Sequence, residues 1–211
     1  LESGKQTDHS TDNSTTNEQD LSVLIAESQT RMNRFQTQLA SPYLLAVGDD
    51  SPIPDDYSVE LKNLTGENSS MKLEQTAASK MNEFLAAAEK AGYNVTVTAA
   101  YRTEKEQEKL YLNTVNSHMD AGYPEKTAHS MAAMEVGAVN HSEHQLGFAV
   151  DFKSTQMSIL GSDGRSFEEY LTSTIHKYGF VLSFPAGGET ETGREPNTAH
   201  YRYVGVEAAS I

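Results

Sequence analysis

From Lys72 to Lys90 the apolar residues Leu73, Ala77, Met81, Phe84, Leu85 and Ala88 recur as one broad helical face, and Gly92 stands where a C-terminal cap belongs. An earlier run, Leu21 to Ala40, places Leu21, Leu24, Ile25, Met32 and Phe35 at a looser helical spacing and predicts a further helix. Between them, SPIPDDYSVELKNL is broken by prolines and reads as an extended loop that wraps the domain. Alternation takes over at NVTVTAA, Asn94 to Ala100, where Val95 and Val97 alternate with polar residues and predict a strand. Thr103 and Glu106 have the T-x-x-E spacing of a capping box and open the next helix. Another helix starts near Pro124, with proline and glutamate in its first turn. Ser166 and Glu169 repeat the capping-box spacing ahead of FEEYLTSTIHKYG, which stops at Gly179, and FVLSF and YRYVG are short strand candidates. Helices and strands alternate without a regular βαβ period, so the predicted fold class is α+β.

The first twenty residues change the picture at one end. LESGKQTDHSTDNSTTNEQD is nearly free of apolar residues and cannot bury enough surface to order itself, so residues 1–20 are expected to be a disordered tether and 21–211 the folded domain. Tethers of this composition link a signal peptide or lipid anchor to the folded part of an exported protein, and a membrane tether upstream is therefore expected. With 211 residues there is room for one ordinary domain with a real core. Thirty acidic against sixteen basic residues give a net charge of -14, which argues against nucleic acid and anionic membrane surfaces as partners. The chain contains no cysteine, so any metal must be held by His, Asp or Glu.

Candidate chemistry concentrates in SEHQLGFAVD, Ser142 to Asp151. His144 and Asp151 are seven residues apart, an odd separation that puts them on opposite faces of a straight strand. They can converge only if Gly147 bends the chain or if His144 lies in the preceding loop. Taken alone, the pair also fits surface or capping residues at the edges of a strand. His200, ahead of the aromatic-alternating YRYVG, completes a set of two histidines and one carboxylate, which is a standard catalytic zinc site with one position open. Among the remaining histidines, His9, His118, His129, His141 and His176, the rival is His141, just upstream of the motif.

These stretches carry a resemblance. SEHQLGFAVD is similar to the SxHxxGxAxD signature of the LAS superfamily of zinc D-alanyl-D-alanine carboxypeptidases and dipeptidases, which includes the vancomycin-resistance D,D-carboxypeptidases, and AHYRYVG resembles that family's second block, E-P-W-H-x-R-Y-V-G. TAAYRTEKEQEKLY and YLLAVGDDSPIPDDYSVEL resemble two further family segments in the same order, so the likeness runs from about Pro42 to Ala208. It implies a single LAS-type domain with a small, mainly antiparallel sheet flanked by helices, His144, Asp151 and His200 as ligands of Zn2+, Arg102 as the arginine that receives the substrate, and Ser142 and Gln107 as residues lining the substrate site. A guanidinium fork at Arg102 also suits a free C-terminal carboxylate on physical grounds.

One position departs from the pattern. The family's general base is a glutamate three residues before the last histidine, and that position here is Asn197; the E-P pair stands five residues before His200, as Glu195 and Pro196. Either the two extra residues loop out and leave Glu195 as the base, or Glu195 is a surface acid with Glu189 and Glu191 as weaker substitutes. The resemblance implies removal of the terminal D-Ala from peptidoglycan stem peptides, outside the cytoplasmic membrane, by a cell-envelope monomer. The alternatives are a D,D-dipeptidase, an L,D-carboxypeptidase, or a zinc-bearing pseudoenzyme that binds cell-wall peptides.

Overall fold

The computed structural model describes residues 22–33 and 41–210. The expected tether, residues 1–20, and the second half of the first predicted helix, 34–40, lie outside the described residues. The chain divides into two units, Leu1–Leu44 and Leu45–Ile211. In the first, helix α1 covers 22–33 and exposes Val23, Leu24, Ile25 and Met32. Among the described residues no helix is long and apolar enough to cross a membrane.

The second unit begins with the proline-bearing loop and a two-stranded antiparallel sheet, β1 (Leu61–Asn63) and β2 (Lys72–Glu74), from which α2 (Gln75–Lys90) follows directly. The apolar periodicity predicts a helix from Lys72, but the first three residues form β2. Leu73 is buried in either conformation, so its place on the apolar stripe does not distinguish strand from helix. The backbone switches at Glu74: its N–H donates to the Gly147 carbonyl at 2.8 Å, and its carboxylate accepts from Thr76 and Ala77 N–H at 2.9 and 3.0 Å, capping α2. The inner face of α2 then buries Ala77, Met81, Phe84 and Ala88, with Phe84 packed against Phe152, Tyr170 and Tyr178 at centroid distances of 6.0, 6.1 and 5.6 Å.

A four-stranded antiparallel sheet, in the order β3-β4-β6-β5, forms the other layer. Its strands are β3 (Val97–Ala99), β4 (Ala149–Phe152), β5 (Phe180–Leu182) and β6 (His200–Tyr203). The predicted strand from Asn94 shortens to β3 because Thr96 N–H pairs with the Gln156 side chain at 2.8 Å rather than with a neighbouring strand. Helix α3 (Glu104–Asp120) starts at the Thr103–Glu106 capping box, and α4 (Glu125–Val136) starts after Pro124. The two pack around Val115, Ala128 and Ala132. One-turn helix α5 (Glu143–Leu146) leads into β4, and α6 (Phe167–Thr174), opened by the Ser166–Glu169 box, runs into a 3-10 turn, Ile175–Tyr178, that ends at Gly179. The last helix, α7 (Glu189–Thr192), interrupts the β5–β6 connection.

The fold is therefore α+β, a small antiparallel sheet with helices around it, as the mixed pattern of helix and strand signals predicts. Phe84 is fully buried at the junction of α2 with the sheet. Phe84→Ala is expected to lower unfolding free energy by about 3–5 kcal/mol, read as a reduced denaturant midpoint at unchanged m-value.

Candidate metal centre and active site

The sheet register brings the first two polar groups together. Strands β4 and β6 are antiparallel with Asp151 directly opposite His200, and His200 Nδ1 lies 2.7 Å from Asp151 Oδ1. His144 reaches the same carboxylate from outside the sheet. It sits in α5, and Gly147 ends that turn in a left-handed conformation, φ 80 and ψ 13, before the chain enters β4. A Cβ at Gly147 would also meet Val59 Cγ2 at 3.1 Å and the Glu74 backbone nitrogen at 3.3 Å. The odd separation of seven residues is thus resolved by both routes at once: His144 precedes the strand, and a glycine reverses the chain between them. Leu146 belongs to the same helical turn and is fully buried.

His144, Asp151 and His200 each offer a ligand atom within 4.8 Å of the others. The imidazoles are almost fully buried, and their rings meet edge to face at 5.0 Å. His144 Nδ1 faces the Ala100 carbonyl at 2.7 Å, which can only accept, so the proton sits on Nδ1 and the lone pair on Nε2. That Nε2 is buried 3.2 Å from Asp151 Oδ2 and has no hydrogen bond of acceptable geometry. A buried lone pair beside a carboxylate is what a divalent cation would satisfy, so the donor set fits one. Two imidazoles and a carboxylate suit zinc and also admit other first-row divalent ions.

His200 is oriented from behind. Its Nε2 faces Glu143 Oε2 at 2.9 Å, and Glu143 Oε1 accepts from Arg202 Nη1 at 3.0 Å. Arg202 also donates to the Leu45 carbonyl, so the guanidinium is anchored to the main chain. Burial pushes the Glu143 carboxyl up, but hydrogen bonding to His200 and the charge of Arg202 outweigh it and hold its pKa at about 2. Burial likewise opposes the charged form of His200, yet hydrogen bonds to Asp151 and Glu143 raise its pKa to about 9 in the metal-free protein. Asp151 is held well below the usual carboxylate range: the two histidines overcome the opposing effect of burial. A carboxylate that takes Nε2–H leaves Nδ1 free to ligate, the arrangement that fixes tautomer and ring orientation in metal sites. Phe184 stacks on the His200 ring at 4.7 Å.

His144, Asp151, His200, Glu143 and Phe184 line a cavity of about 360 Å³ that also takes in Arg102, Ser142 and Glu195. Arg102 is half-buried, and its Nε and Nη1 are buried without a hydrogen-bond partner. Its backbone N–H donates to the His144 carbonyl at 3.2 Å, tying it to the α5 turn. Gln107 occupies a different place. It is fully buried and donates to the Val136 and Gly137 carbonyls at 2.8 and 2.7 Å, bracing the end of α4, whose Glu135 and Val136 line the cavity. His141 is on the cavity wall but turns Nδ1 to the Gly48 carbonyl at 2.7 Å and stands outside the three-residue cluster.

Asn197, at the position where the family pattern has its base, makes a turn into β6. Its Oδ1 accepts from Ala199 N–H at 3.0 Å and its carbonyl accepts from His200 N–H at 3.2 Å. Glu195 is exposed at the cavity wall, and its N–H donates to the Met134 carbonyl at 3.2 Å. Glu189 and Glu191 are exposed in α7. Sequence patterns alone did not single out Glu143, Arg202 and Phe184. A signal existed for Arg202, which is two residues from His200 and so on the same face of a strand; Glu143 and Phe184 are joined to the site only through tertiary contacts.

Because a cation binds the native site and not the unfolded chain, zinc at 100 times its Kd is expected to stabilise the protein by about 2.7 kcal/mol, read as a higher Tm. Asp151→Ala should abolish that shift, and Glu143→Gln should weaken zinc binding about 10–100-fold in equilibrium dialysis. An undiminished zinc-induced rise in Tm for Asp151→Ala would remove Asp151 from the ligand set.

Three comparisons with known proteins agree with this geometry. Residues 70–206, well over half of the chain, match the family model described as VanY: D-alanyl-D-alanine carboxypeptidase. A D-alanyl-D-alanine carboxypeptidase of Enterococcus faecalis is 31% identical over 168 residues, covering 79% of this chain and 60% of its own length. The chain thus spans somewhat over half the length of that relative. Among solved structures, a glutamate-to-alanine mutant of the vancomycin resistance D,D-pentapeptidase VanY from a VanB-type cassette, in complex with Zn(II), superposes with TM-score 0.70 at 29% identity, covering 81% of this chain and 92% of that one. VanYB in complex with D-alanine-D-alanine superposes with TM-score 0.69 at 28% identity over 81% of this chain and 91% of that one. The chain belongs to the VanY family of D-alanyl-D-alanine carboxypeptidases.

Proposed function

We propose that the protein is a zinc-dependent D,D-carboxypeptidase that removes the C-terminal D-Ala from peptidoglycan stem peptides. The observation that carries this reading is a His144–Asp151–His200 cluster, its imidazoles buried, sharing one cavity with an arginine whose Nε and Nη1 lack hydrogen-bond partners. A cation held by His144 Nε2, an Asp151 oxygen and His200 Nδ1 would supply Lewis acidity and lower the pKa of a water. Arg102 receives the terminal carboxylate or the oxygen of the scissile carbonyl, since a desolvated guanidinium with open donors is short of an anion. Ser142, at the cavity wall just ahead of the α5 turn, contributes to the substrate surface. Glu195 takes a proton from the attacking water as the C–O bond forms and returns it to the D-Ala nitrogen as the C–N bond breaks. Glu143 and Arg202 keep the His200 ring oriented throughout. Since the substrate lies outside the cytoplasmic membrane, the protein belongs in the cell envelope.

The exposure of Glu195 and its distance of five residues from His200 favour one competing reading, a metal-bearing pseudoenzyme that binds cell-wall peptides. A D,D-dipeptidase or an L,D-carboxypeptidase uses the same site chemistry on a different peptide end. Release of D-Ala from a pentapeptide stem, scored by mass beside tetrapeptide and dipeptide substrates, separates all of these. The zinc-loaded protein should release one D-Ala from the pentapeptide, and chelation should stop it. Arg102→Ala should lower kcat/KM by about 10²–10³ at unchanged zinc content, the loss expected on removal of one preorganised donor. Zinc binding without release from any stem peptide would favour the pseudoenzyme.

A further inference from the structure

A general base works only when its carboxylate is held close to a productive position, yet Glu195 and its successors Pro196, Asn197 and Thr198 are all exposed. Burial does not hold this stretch. The residue before it is its opposite: Arg194 is only 6% exposed and passes inward from the β5–β6 connection. Its guanidinium donates to the backbone carbonyls of Ala133 and His141, and Nη1 lies 3.4 Å from Asp49 Oδ1. Ala133 is in the last turn of α4; its carbonyl already accepts the Gly137 N–H at 3.1 Å and lies at the negative end of the helix dipole, so a cation there is favoured. The neighbouring carbonyl, Met134, accepts the Glu195 N–H.

Two further features make room for this contact and stiffen it. Gly137, at φ 78, has no side chain where a Cβ would stand 2.9 Å from Arg194 Nη2 and 3.1 Å from the His141 carbonyl. The α4 end is braced from the other side by the Gln107 amide. Pro196 confines Glu195 to extended backbone, because the proline ring clashes with a helical predecessor. Glu195 is thereby gripped on both flanks while its carboxylate stays at the cavity wall.

We propose that Arg194 is a positioning residue for the reaction: it clamps the β5–β6 connection to the C-terminal end of α4 and so fixes Glu195 against the cavity. The clamp replaces the placement that the two-residue displacement of the E-P pair removes. This inference rests on the reading of Glu195 as the base.

The test is a double-mutant cycle on D-Ala release from a pentapeptide stem, using the zinc-loaded protein. Glu195→Gln should lose turnover. Arg194→Ala should lower kcat about 10²-fold, the scale of loss from misplacing a catalytic group by about 1 Å, while KM and zinc affinity stay unchanged. In the Glu195→Gln background the same substitution should cost nothing more, and added guanidinium ion should restore turnover to Arg194→Ala but not to the double variant. Arg194→Lys should fall between parent and Arg194→Ala, because an ammonium cannot serve both carbonyls in the plane of the fork. Equal losses from Arg194→Ala in both backgrounds, or a matching change in KM and zinc affinity, would overturn the clamp and leave a simple structural staple. Parental turnover in Glu195→Gln is a separate result: it removes the base and the clamp with it. If Arg194→Ala does not fold, Arg194→Lys and the exposed Pro196→Ala decide, and unchanged kcat in both at unchanged Tm overturns the proposal.

Discussion

Everything at the site depends on one register. Asp151 on β4 faces His200 on β6, and a slip of one strand by a residue would turn its side chain to the other face and part the pair. The carboxylate that results is shared between two buried imidazoles. Burial alone would penalise a charge there, and the two histidines reverse that penalty. The cluster is electrostatically self-consistent only with its members present together, which ties the candidate metal site to the packing of the sheet rather than to the flexibility of a loop.

Around this centre the polar groups are satisfied from backbone that the fold already supplies. The Ala100 carbonyl at the end of β3 sets the His144 tautomer, and Glu143, held by Arg202, sets that of His200. Arg202 in turn reaches the Leu45 carbonyl, so the orientation of a β6 histidine is fixed by the chain at the start of the folded unit. Buried charges of this kind are costly unless paired and hydrogen-bonded. Arg102 lies in the field of Asp151 and Glu106, but its Nε and Nη1 make no hydrogen bond, and the residue lines the cavity.

The β5–β6 connection is the part of the site that departs from the family pattern. Asn197 has become a turn residue that delivers His200 into its strand, and the acid that could act as base stands two residues earlier on an exposed stretch. Fixing that stretch falls to a buried arginine on a helix end. On the proposed reading the division of labour is physically reasonable: the candidate ligands sit on strands and a packed turn, where geometry is most precise, and the proposed base sits on a connection that the rest of the domain anchors.

Much of this was legible from residues alone. The capping boxes at Thr103 and Ser166, the apolar face of α2 and the strand alternation at His200 are local patterns whose physics acts within a few residues, and they correctly implied an α+β chain. The spacing of His144 and Asp151 about Gly147 carried its own constraint, since an odd separation converges only through a bend at the glycine or a His144 placed ahead of the strand. The start of α2 escaped the pattern because a buried leucine suits both a strand and a helix, and the choice fell to a hydrogen bond from Glu74 to Gly147. Sequence by itself determined most of the helices and the strands of the four-stranded sheet, the residue types at the candidate metal site and the displaced glutamate. Only tertiary structure decided which carboxylate orients His200, that Gln107 braces a helix end, and that Arg194 reaches the end of α4, because each depends on hydrogen bonds between segments distant in the chain whose approach no local periodicity encodes.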